Sequence, residues 1–344
     1  MFKGDLGGPT DRRRFLQYLV MLGVGGRTLL RSGDAAAAAD AVADATWPKM
    51  TYRKLGRTGF EASRLVFGCG AALSRGPKDA LLNTAFDAGI NVFDVGFSAY
   101  YKHAEQNLAP FLKKVRDDVF LISKAMVSIG VKPDEIVTVE RAKSAAATWL
   151  AMLDQSLREL QVDRVDAYYL MASNNPSLIG SDEIHAAFLK AKQAGKVSHL
   201  GLSTHQNAQQ VLETAVQTGW YDLAMIAITP AGWYDWEEKK IQRDSAPMAA
   251  LRPMLDRARA SGMGLIGMKA GRHLAGGRIL GWERPEAFDE FYQEKLLASD
   301  LSAFQRSYAF VLAHGLDAVN ADMQNLEHLH ENFVAAATSS EYFA

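Results

Sequence analysis

Val119-Phe120-Leu121-Ile122-Ser123-Lys124 is a short apolar run that ends in a lysine, and Asn91-Val92-Phe93-Asp94 is a similar run that ends in an aspartate. Apolar runs of this length are typical of strands that are buried on both faces in a parallel sheet. Each run places one ionisable side chain at the C-terminal end of its strand. The rest of the chain repeats this arrangement.

Strand-like and helical segments alternate along the chain from about Met50 onward. The strand candidates are 65–67, 91–94, 119–123, 166–170, 199–202, 223–228, 264–268 and 318–320. The helical candidates between them include 80–88, 139–160, 181–193, 208–217 and 249–260. Short buried strands that are each followed by a helix, about eight times, predict an α/β fold of the (β/α)₈ TIM barrel type over residues 50–344.

Two further features refine this fold prediction. A short hairpin is expected ahead of the barrel, because residues 52–55 and 60–63 form an amphipathic pair joined by Gly56-Arg57-Thr58-Gly59. An open doubly wound sheet is the alternative architecture. Gly68-Cys69-Gly70-Ala71 argues against it, since this turn lacks the third glycine of a dinucleotide-binding fingerprint and the acidic residue farther on.

Composition excludes several classes of function. The chain has 344 residues and a net charge of −1, which gives no reason to expect nucleic acid or an anionic membrane surface as a partner. Cys69 is the single cysteine, so one copy of the chain can form neither a disulfide framework nor a cysteine-based zinc site. No metal site is expected.

The first 46 residues have a different character. Asp11-Arg12-Arg13-Arg14-Phe15-Leu16-Gln17 matches the twin-arginine export pattern, and an apolar run at 18–26 and an Ala-rich stretch at 35–45 follow it. The apolar run is too short and too rich in glycine to span a bilayer, so no stable membrane anchor is expected. Residues 1–46 are therefore expected to be a signal peptide with its cleavage region, read by the twin-arginine translocase, and the protein is expected in the periplasm.

In a barrel of this type the site lies at the C-terminal ends of the strands. Asp94 and Lys124 follow the second and third strands, so an acid and a lysine are expected to point into one mouth. Other strand ends contribute Met171, Ser203-Thr204-His205 and Lys269.

Several stretches together resemble the aldo-keto reductases over the whole chain after the leader. They are Tyr52-Arg53-Lys54-Leu55-Gly56-Arg57-Thr58-Gly59, Asn91-Val92-Phe93-Asp94, Ser98-Ala99-Tyr100-Tyr101, Val119-Phe120-Leu121-Ile122-Ser123-Lys124, Gly201-Leu202-Ser203-Thr204-His205, Gly267-Met268-Lys269 and Leu329-His330-Glu331-Asn332. The resemblance implies interconversion of a carbonyl and an alcohol with a nicotinamide cofactor. Asp94, Lys124 and a tyrosine would then be catalytic, because a buried lysine beside a tyrosine lowers its pKa and an aspartate holds that lysine charged.

The position of the catalytic tyrosine is not settled by the resemblance. The family places it five residues after the aspartate, where this chain has Ala99. Tyr100 and Tyr101 follow directly, and we favour Tyr100 with Tyr101 close behind. Two aromatic residues that merely line a pocket are the alternative.

The chain also departs from the family at the fourth catalytic position. Met171 stands where the family has a histidine at the end of the fourth strand, and a thioether neither donates a proton nor orients a carbonyl strongly. His205, one strand over, is a partial substitute or simply a polar residue at a strand end. Met171 and His205 are expected in the substrate pocket.

The implied cofactor contacts are altered as well. Ser203 and Thr204 occupy the nicotinamide-binding pair, and Met225 stands where the family often has a glutamine. Asp322 and His328 occupy the positions that bind the 2′-phosphate of NADP, and a carboxylate there repels a phosphate. Glu331 and Asn332 match the adenine end. We therefore expect NAD(H) or NADP(H), with NAD(H) favoured.

Two further features of the mouth allow alternative interpretations. Lys269 invites a Schiff-base lyase mechanism, although the resemblance places it near the cofactor pyrophosphate. Trp233 and Trp236 lie in an aromatic stretch that forms either a substrate lid or a packed loop. The favoured function is a periplasmic oxidoreductase acting on a small carbonyl or alcohol, and the alternative is a catalytically degenerate barrel that binds a partner.

Overall fold

Eight parallel strands close into a barrel in the computed structural model, which describes residues 47–127, 130–275 and 284–343. The barrel strands are β3 (Leu65–Gly68), β4 (Val92–Asp94), β5 (Phe120–Ala125), β6 (Val165–Leu170), β7 (Val197–Thr204), β8 (Leu223–Thr229), β11 (Gly264–Met268) and β12 (Ala318–Asp322). The parallel pairing runs in this order, and β12 returns to β3 with Val319 opposite Leu65. The predicted (β/α)₈ barrel is confirmed.

Helices surround the barrel, and their apolar faces pack on the outer side of the strands. Their bounds are α1 (Cys69–Leu73), α2 (Asp79–Asp87), α3 (Ser98–Tyr101), α4 (Ala104–Val115), α5 (Val139–Leu160), α6 (Pro176–Ile179), α7 (Asp182–Gln193), α8 (Ala208–Thr218), α9 (Met248–Ala260), α10 (Glu294–Leu297), α11 (Ala303–Ala313) and α12 (Leu326–Thr338). A second, smaller core fills the barrel itself. Helical spacing located the five helices that the sequence analysis names to within two residues, because a buried apolar stripe fixes both their existence and their extent.

The predicted N-terminal hairpin is also confirmed. Strands β1 (Tyr52–Lys54) and β2 (Glu61–Ser63) pair antiparallel. Arg57 in the hairpin turn bonds to the carboxylate of Asp222, just before β8, and donates to the carbonyl oxygens of Gly219 and Tyr221 at 2.8 Å. The hairpin is thereby anchored to the end of the barrel opposite the C-terminal mouth.

A second hairpin was not anticipated. After β8, strands β9 (Gly232–Asp235) and β10 (Lys240–Ile241) pair antiparallel, and β9 continues the barrel sheet through pairing with β8. The sequence there looks like an aromatic loop, because four residues are too few to show an alternating pattern. This hairpin extends from the C-terminal end of β8 at the mouth.

Two expectations concern the N-terminal region and the membrane. The expected signal peptide, residues 1–46, lies outside the described residues. Within the part that is described, no helix has both the length and the apolar character needed to cross a bilayer.

Candidate active site

Asp94 and Lys124 meet at the C-terminal mouth of the barrel, as the sequence predicts. The Lys124 ammonium donates to Oδ1 of Asp94 at 2.5 Å and to the carbonyl oxygen of Val95 at 2.7 Å. Both side chains are buried, with 5 % of Asp94 and 3 % of Lys124 exposed. Burial raises the pKa of the Asp94 carboxyl, while Lys124 and Asn320 oppose that shift by stabilising its charged form. An ion pair this deep needs such hydrogen bonds, because neither charge is solvated by water.

Asn320 completes this ion pair and was not identified from the sequence as a site residue. It lies on β12, and its side-chain amide donates to Oδ2 of Asp94 at 2.6 Å and contacts the Met225 sulfur at 3.4 Å. The one available signal was a polar residue at the end of the expected strand 318–320. Asp94 could not be identified as the partner of Asn320 without knowing that β12 closes the barrel close to β4.

The structure reverses the order of preference between the two tyrosines. Tyr100 is 48 % exposed on the outside of the short helix α3, whereas Tyr101 packs inward. Gly70 and Gly96 flank the Tyr101 ring, and a Cβ atom on either glycine would lie only 2.5 Å or 2.9 Å from it. The same Cβ on Gly96 would lie 3.8 Å from the Lys124 side chain. Two glycines therefore make room for Tyr101 beside Lys124.

This structure does not show the expected lowering of the tyrosine pKa by Lys124. Within the described part of the chain, the Lys124 ammonium bonds to Asp94 and Val95 and forms no hydrogen bond to either tyrosine. Burial, with a smaller contribution from the Asp94 charge, raises the pKa of Tyr101. The Tyr101 hydroxyl is therefore protonated at neutral pH and is not acidified by Lys124.

Met171 and His205 lie at neighbouring strand ends. Met171 is buried, and its backbone amide donates to Ala125 at 2.8 Å. His205 is partly buried, and burial, together with the charges of Lys269, Lys124 and Lys239, lowers its pKa to about 3. The imidazole is therefore neutral at physiological pH and can donate one N–H but cannot act as an imidazolium acid.

The expected nicotinamide contacts are only partly available. Ser203 is buried, and its hydroxyl oxygen accepts from the Ala172 amide at 3.3 Å, which leaves its own proton uncommitted among the described residues. The Thr204 hydroxyl instead donates to the carbonyl oxygen of Gln206 at 2.7 Å. Met225 lies in the barrel interior against Asn320 rather than at the rim.

The residues expected around the cofactor phosphates lie at the ends of β11 and β12 and in the first turn of α12. Lys269 follows β11 in a left-handed conformation (φ 64°), and no carboxylate of the described residues lies within ion-pair distance of its ammonium. Asp322 ends β12, and Oδ2 accepts from Gln324 at 3.1 Å. His328 lies in the first turn of α12, where its backbone amide is capped by Asn325 at 2.8 Å.

The expected adenine contacts are engaged within the protein. Oε1 of Glu331 accepts from the Ser302 hydroxyl at 2.5 Å, and the Glu331 carbonyl accepts from Gln305 at 3.0 Å. Ser302 and Gln305 cap the start of α11. Asn332 is buried. These bonds tie α12 to α11.

The two tryptophans, expected in either a substrate lid or a packed loop, have different environments. Trp233 is 3 % exposed and packs in the core around the barrel. Trp236 is half-buried at the tip of the β9–β10 hairpin, where its ring lies 6.1 Å from His205. Ammonium groups of Lys239 and Lys269 lie 3.1 Å and 4.1 Å from the Trp236 ring centroid. Trp236 therefore lies at the mouth, whereas Trp233 packs the base of the hairpin against the core.

A second polar group behind the mouth was also missed. Glu105 on α4 is fully buried and accepts from the Ser123 hydroxyl at 2.6 Å, next to Lys124 in the chain. Burial raises the pKa of the Glu105 carboxyl to about 7. Its second oxygen has no hydrogen-bond partner in the described structure. Helical spacing alone does not reveal this position, because a glutamate on a helix is ordinarily exposed.

The barrel and its mouth define a class of protein: a (β/α)₈ enzyme scaffold with a buried Lys–Asp pair and a tyrosine held beside it. A family model described as the aldo/keto reductase family matches residues 67–287, well over half of the chain. The chain belongs to the aldo/keto reductase family.

Comparison with individual proteins gives the same fold. An aldo-keto reductase from Pseudomonas aeruginosa superimposes with a TM-score of 0.59 at 20% identity, covering 87% of this chain and 99% of that one. An aldo-keto reductase from Klebsiella pneumoniae, solved in complex with NADPH, gives 0.58 at 19% identity over 83% of this chain and 89% of that one.

A curated reductase is more similar to this chain in sequence than these two structures are, but over a shorter stretch. L-glyceraldehyde 3-phosphate reductase from Escherichia coli (strain K12) is 27% identical over 179 residues, which make up 48% of this chain and 49% of that protein. The chain thus spans about half the length of the curated relative that it matches.

Proposed function

We infer that the protein is an oxidoreductase that interconverts a carbonyl and an alcohol with a nicotinamide dinucleotide. The observation that carries this proposal is the buried Asp94–Lys124 pair beside Tyr101. The pair lies at the C-terminal end of the barrel, where enzymes of this fold have their active sites. A bare structural ion pair explains it poorly, because burying two charges is costly and an apolar pair would serve packing as well. Family membership supports the same reaction type.

The described residues offer a nicotinamide dinucleotide two open contacts. The Ser203 hydroxyl has a proton to donate to a carboxamide, and Lys269 supplies a cation without a carboxylate partner for a pyrophosphate. Such a cofactor supplies a hydride for the carbonyl carbon, or accepts one from the alcohol. The turn after the first barrel strand has no dinucleotide-binding fingerprint, so recognition of the cofactor depends on these side chains.

Tyr101 is the proposed proton donor during reduction. Its hydroxyl proton passes to the substrate oxygen as the carbonyl carbon gains a hydride, which yields a neutral alcohol. Lys124, fixed by Asp94 and Val95, stabilises the tyrosinate that remains. Lys124 and Tyr101 form no direct hydrogen bond in the described structure, and this bond forms as substrate binds, since catalytic hydrogen bonds often tighten only in the complex.

NAD(H) is the proposed cofactor in preference to NADP(H). The support is Asp322, whose carboxylate stands where the family resemblance implies contact with a 2′-phosphate. The K. pneumoniae structure was solved with NADPH, which concerns that protein. An Asp322→Asn variant separates the two cases: its affinity for NADPH rises relative to NADH if the carboxylate excludes the phosphate, and the ratio is unchanged if Asp322 lies elsewhere.

Export through the twin-arginine route and a periplasmic location complete the proposal, with residues 1–46 as the leader and the barrel as the exported domain. The support is the Arg12-Arg13-Arg14-Phe15-Leu16-Gln17 stretch. Cell fractionation of the full chain is the test. Lysine at both Arg12 and Arg13 abolishes periplasmic accumulation if the proposal holds, whereas lysine at Arg27 and Arg31 leaves it intact.

The decisive experiment for the function is a titration of the purified protein with NADH and NADPH, followed by intrinsic tryptophan fluorescence, together with an aldehyde reduction assay. Saturable binding and turnover that Tyr101→Phe abolishes without loss of binding support the enzyme. Folded protein that binds neither nucleotide supports the alternative, a catalytically degenerate barrel that binds a partner. Met171 favours that alternative, because it removes the usual histidine from the mouth.

A further inference from the structure

The lysine and the tyrosine of the candidate site come from different elements. Lys124 lies on β5, whereas Tyr101 ends the short helix α3. The Lys124 ammonium bonds to Asp94 and Val95, and the Tyr101 ring approaches the lysine side chain around Gly96. The position of α3 relative to β5 therefore determines whether the tyrosine hydroxyl reaches the ammonium during the reaction.

A hydrogen bond behind the site joins these two elements. Glu105 lies in the first turn of α4, four residues after Tyr101, and its Oε1 accepts from the Ser123 hydroxyl at 2.6 Å. Ser123 directly precedes Lys124 on β5, and successive side chains of a strand point to opposite faces. Both Glu105 and Ser123 are 0 % exposed. This bond connects the segment that carries the tyrosine to the strand that carries the lysine, without entering the mouth.

The other end of α3 is held by α5. The Ser98 hydroxyl at the start of α3 donates to Oε1 of Glu159 at 3.1 Å. The side-chain amide of Gln155 donates to the same carboxylate at 2.8 Å and to the Ser98 hydroxyl oxygen at 3.2 Å. A helix of four residues is not stable by itself, so its position depends on such contacts. Glu105 supplies the contact on the side of α3 nearer Tyr101.

Glu105 is an unusual choice for a purely structural contact. Its Oε2 has no hydrogen-bond partner among the described residues, and a buried carboxyl is costly compared with a neutral acceptor. Burial raises the pKa of the Glu105 carboxyl to about 7, although the hydroxyls of Ser123 and Ser156 stabilise its ionised form. The titratable groups that face it from neighbouring elements are Lys124 of β5, Glu159 of α5 and Tyr168 of β6. The carboxyl therefore exists in both charge states near neutral pH.

We propose that Glu105 is a positioning residue for reduction: through the Ser123 hydroxyl it holds β5 against the segment that carries Tyr101, so that Lys124 and Tyr101 meet during the reaction. This inference rests on the proposed function, because it concerns the same pair. An ionised carboxylate accepts a shorter and stronger hydrogen bond than a neutral acid does. The ionised form of Glu105 consequently holds the two elements more firmly, and protonation loosens them.

The test compares wild type with Glu105→Gln, which copies the neutral carboxyl in shape. Single-turnover rates of glyceraldehyde reduction by NADH are measured on the purified full-length protein. The ratio of the wild-type rate to the variant rate is close to one at about pH 5.5 and rises about fivefold by about pH 8.5, the difference between a charged and a neutral hydrogen bond. The affinity for NADH is unchanged. Taking a ratio removes the pH dependence that the two proteins share.

Ser123→Ala separates positioning from the charge itself. This variant removes the hydroxyl that joins Glu105 to β5 and keeps the carboxyl in place. In the Ser123→Ala background, Glu105→Gln has no further effect on the rate at any pH. Ser156→Ala is the matched control, because Ser156 is a buried serine of the same layer that bonds to Tyr168 at 3.1 Å and lies outside β5. In that background Glu105→Gln keeps its pH-dependent effect.

Two kinetic results overturn the proposal and leave the proposed function standing. A ratio of wild type to Glu105→Gln that is constant with pH shows that Glu105 has a structural role alone. A full-sized effect of Glu105→Gln in the Ser123→Ala background assigns that effect to the carboxylate charge acting across space.

A protein that reduces no aldehyde contradicts the proposed function, and a measurement without turnover then tests the positioning role. The buried Lys124 ammonium exchanges slowly with water, so its NMR signal can be followed and identified by its loss in the Lys124→Met, Asp94→Asn double variant. A chemical-shift change around pH 7 that both Glu105→Gln and Ser123→Ala remove supports the positioning role. No change in wild type, or a change that persists in Ser123→Ala, overturns it.

Discussion

The side-chain amide of Asn320 donates a 2.6 Å hydrogen bond to the Asp94 carboxylate, across a sequence separation of 226 residues. The same carboxylate holds the Lys124 ammonium through its other oxygen. Asn320 therefore fixes the orientation of Asp94, and Asp94 fixes the lysine. The first strand, β3, runs between their strands, so this contact crosses the barrel seam.

Replacing Asn320 by alanine should impair turnover more than nucleotide binding. Hydrogen bonds to charged groups are worth about 1.5–3 kcal/mol, so kcat is expected to fall roughly ten- to hundredfold. Steady-state kinetics with a nucleotide titration measures both effects. Gln324→Ala is the control, since its bond to Asp322 lies outside the ion pair. Equal losses in the two variants would show that Asn320 does not act through Asp94.

Tyr101→Phe should remove the proposed proton donor while keeping the ring between Gly70 and Gly96. A general acid contributes about 10²–10⁴-fold, and kcat is expected to fall by that factor with the fold unchanged. Tyr100→Phe changes only an exposed hydroxyl and should alter kcat by less than about threefold. Single-turnover rates for both variants check the assignment. A larger loss in Tyr100→Phe would return the role to that residue.

Lys124→Met should destabilise the fold as well as abolish reduction. The variant leaves Asp94 buried without its counter-ion, which costs about 3–5 kcal/mol of unfolding free energy. Adding Asp94→Asn removes the unpaired charge and should recover most of this stability without restoring activity. Urea unfolding of the two variants gives the comparison. A double variant as unstable as Lys124→Met would mean that the charge is not the cause.

The free energy of unfolding is expected to depend on pH because of the buried Glu105 carboxyl. Because burial raises its pKa from an ordinary 4.5 to about 7, the native state retains a proton that the unfolded state loses. The stabilisation of the native state by this retained proton is present in full below about pH 4.5. It is lost as pH rises through about 7, and the free energy of unfolding falls by roughly 3 kcal/mol at 1.4 kcal/mol per pKa unit. Unfolding free energies of wild type and Glu105→Gln across this range are the measurement. Parallel pH profiles would contradict the prediction.

The barrel could be predicted from sequence because its signal is repeated. Each strand is a short apolar run and each long helix carries an apolar stripe, so Val139–Leu160 was located with both ends correct. The Asp94–Lys124 pair followed from the same logic, since parallel strands put their C-terminal ends at one mouth.

Other features of the site depend on contacts that the sequence does not display. The choice of Tyr101 over Tyr100 rests on the close approach of Gly70, a residue of another element, to the Tyr101 ring. Asn320 meets Asp94 only after the barrel closes. The β9–β10 hairpin is too short for its periodicity to be recognised, so the separation of Trp233 from Trp236 was not foreseeable.

Closure between β3 and β12 also has a consequence for the order of synthesis. The ribosome makes β3 before any other barrel strand and β12 after all of them, so the seam forms only once nearly the whole domain has emerged. Pairing between such distant segments is slow and leaves sheet edges exposed in the meantime. Trp47, which packs against Phe333 of α12 at 4.9 Å, joins the start of the domain to the same late segment. A nascent chain truncated before β12 thus lacks both its last strand and the Asn320 that orients the Asp94 carboxylate.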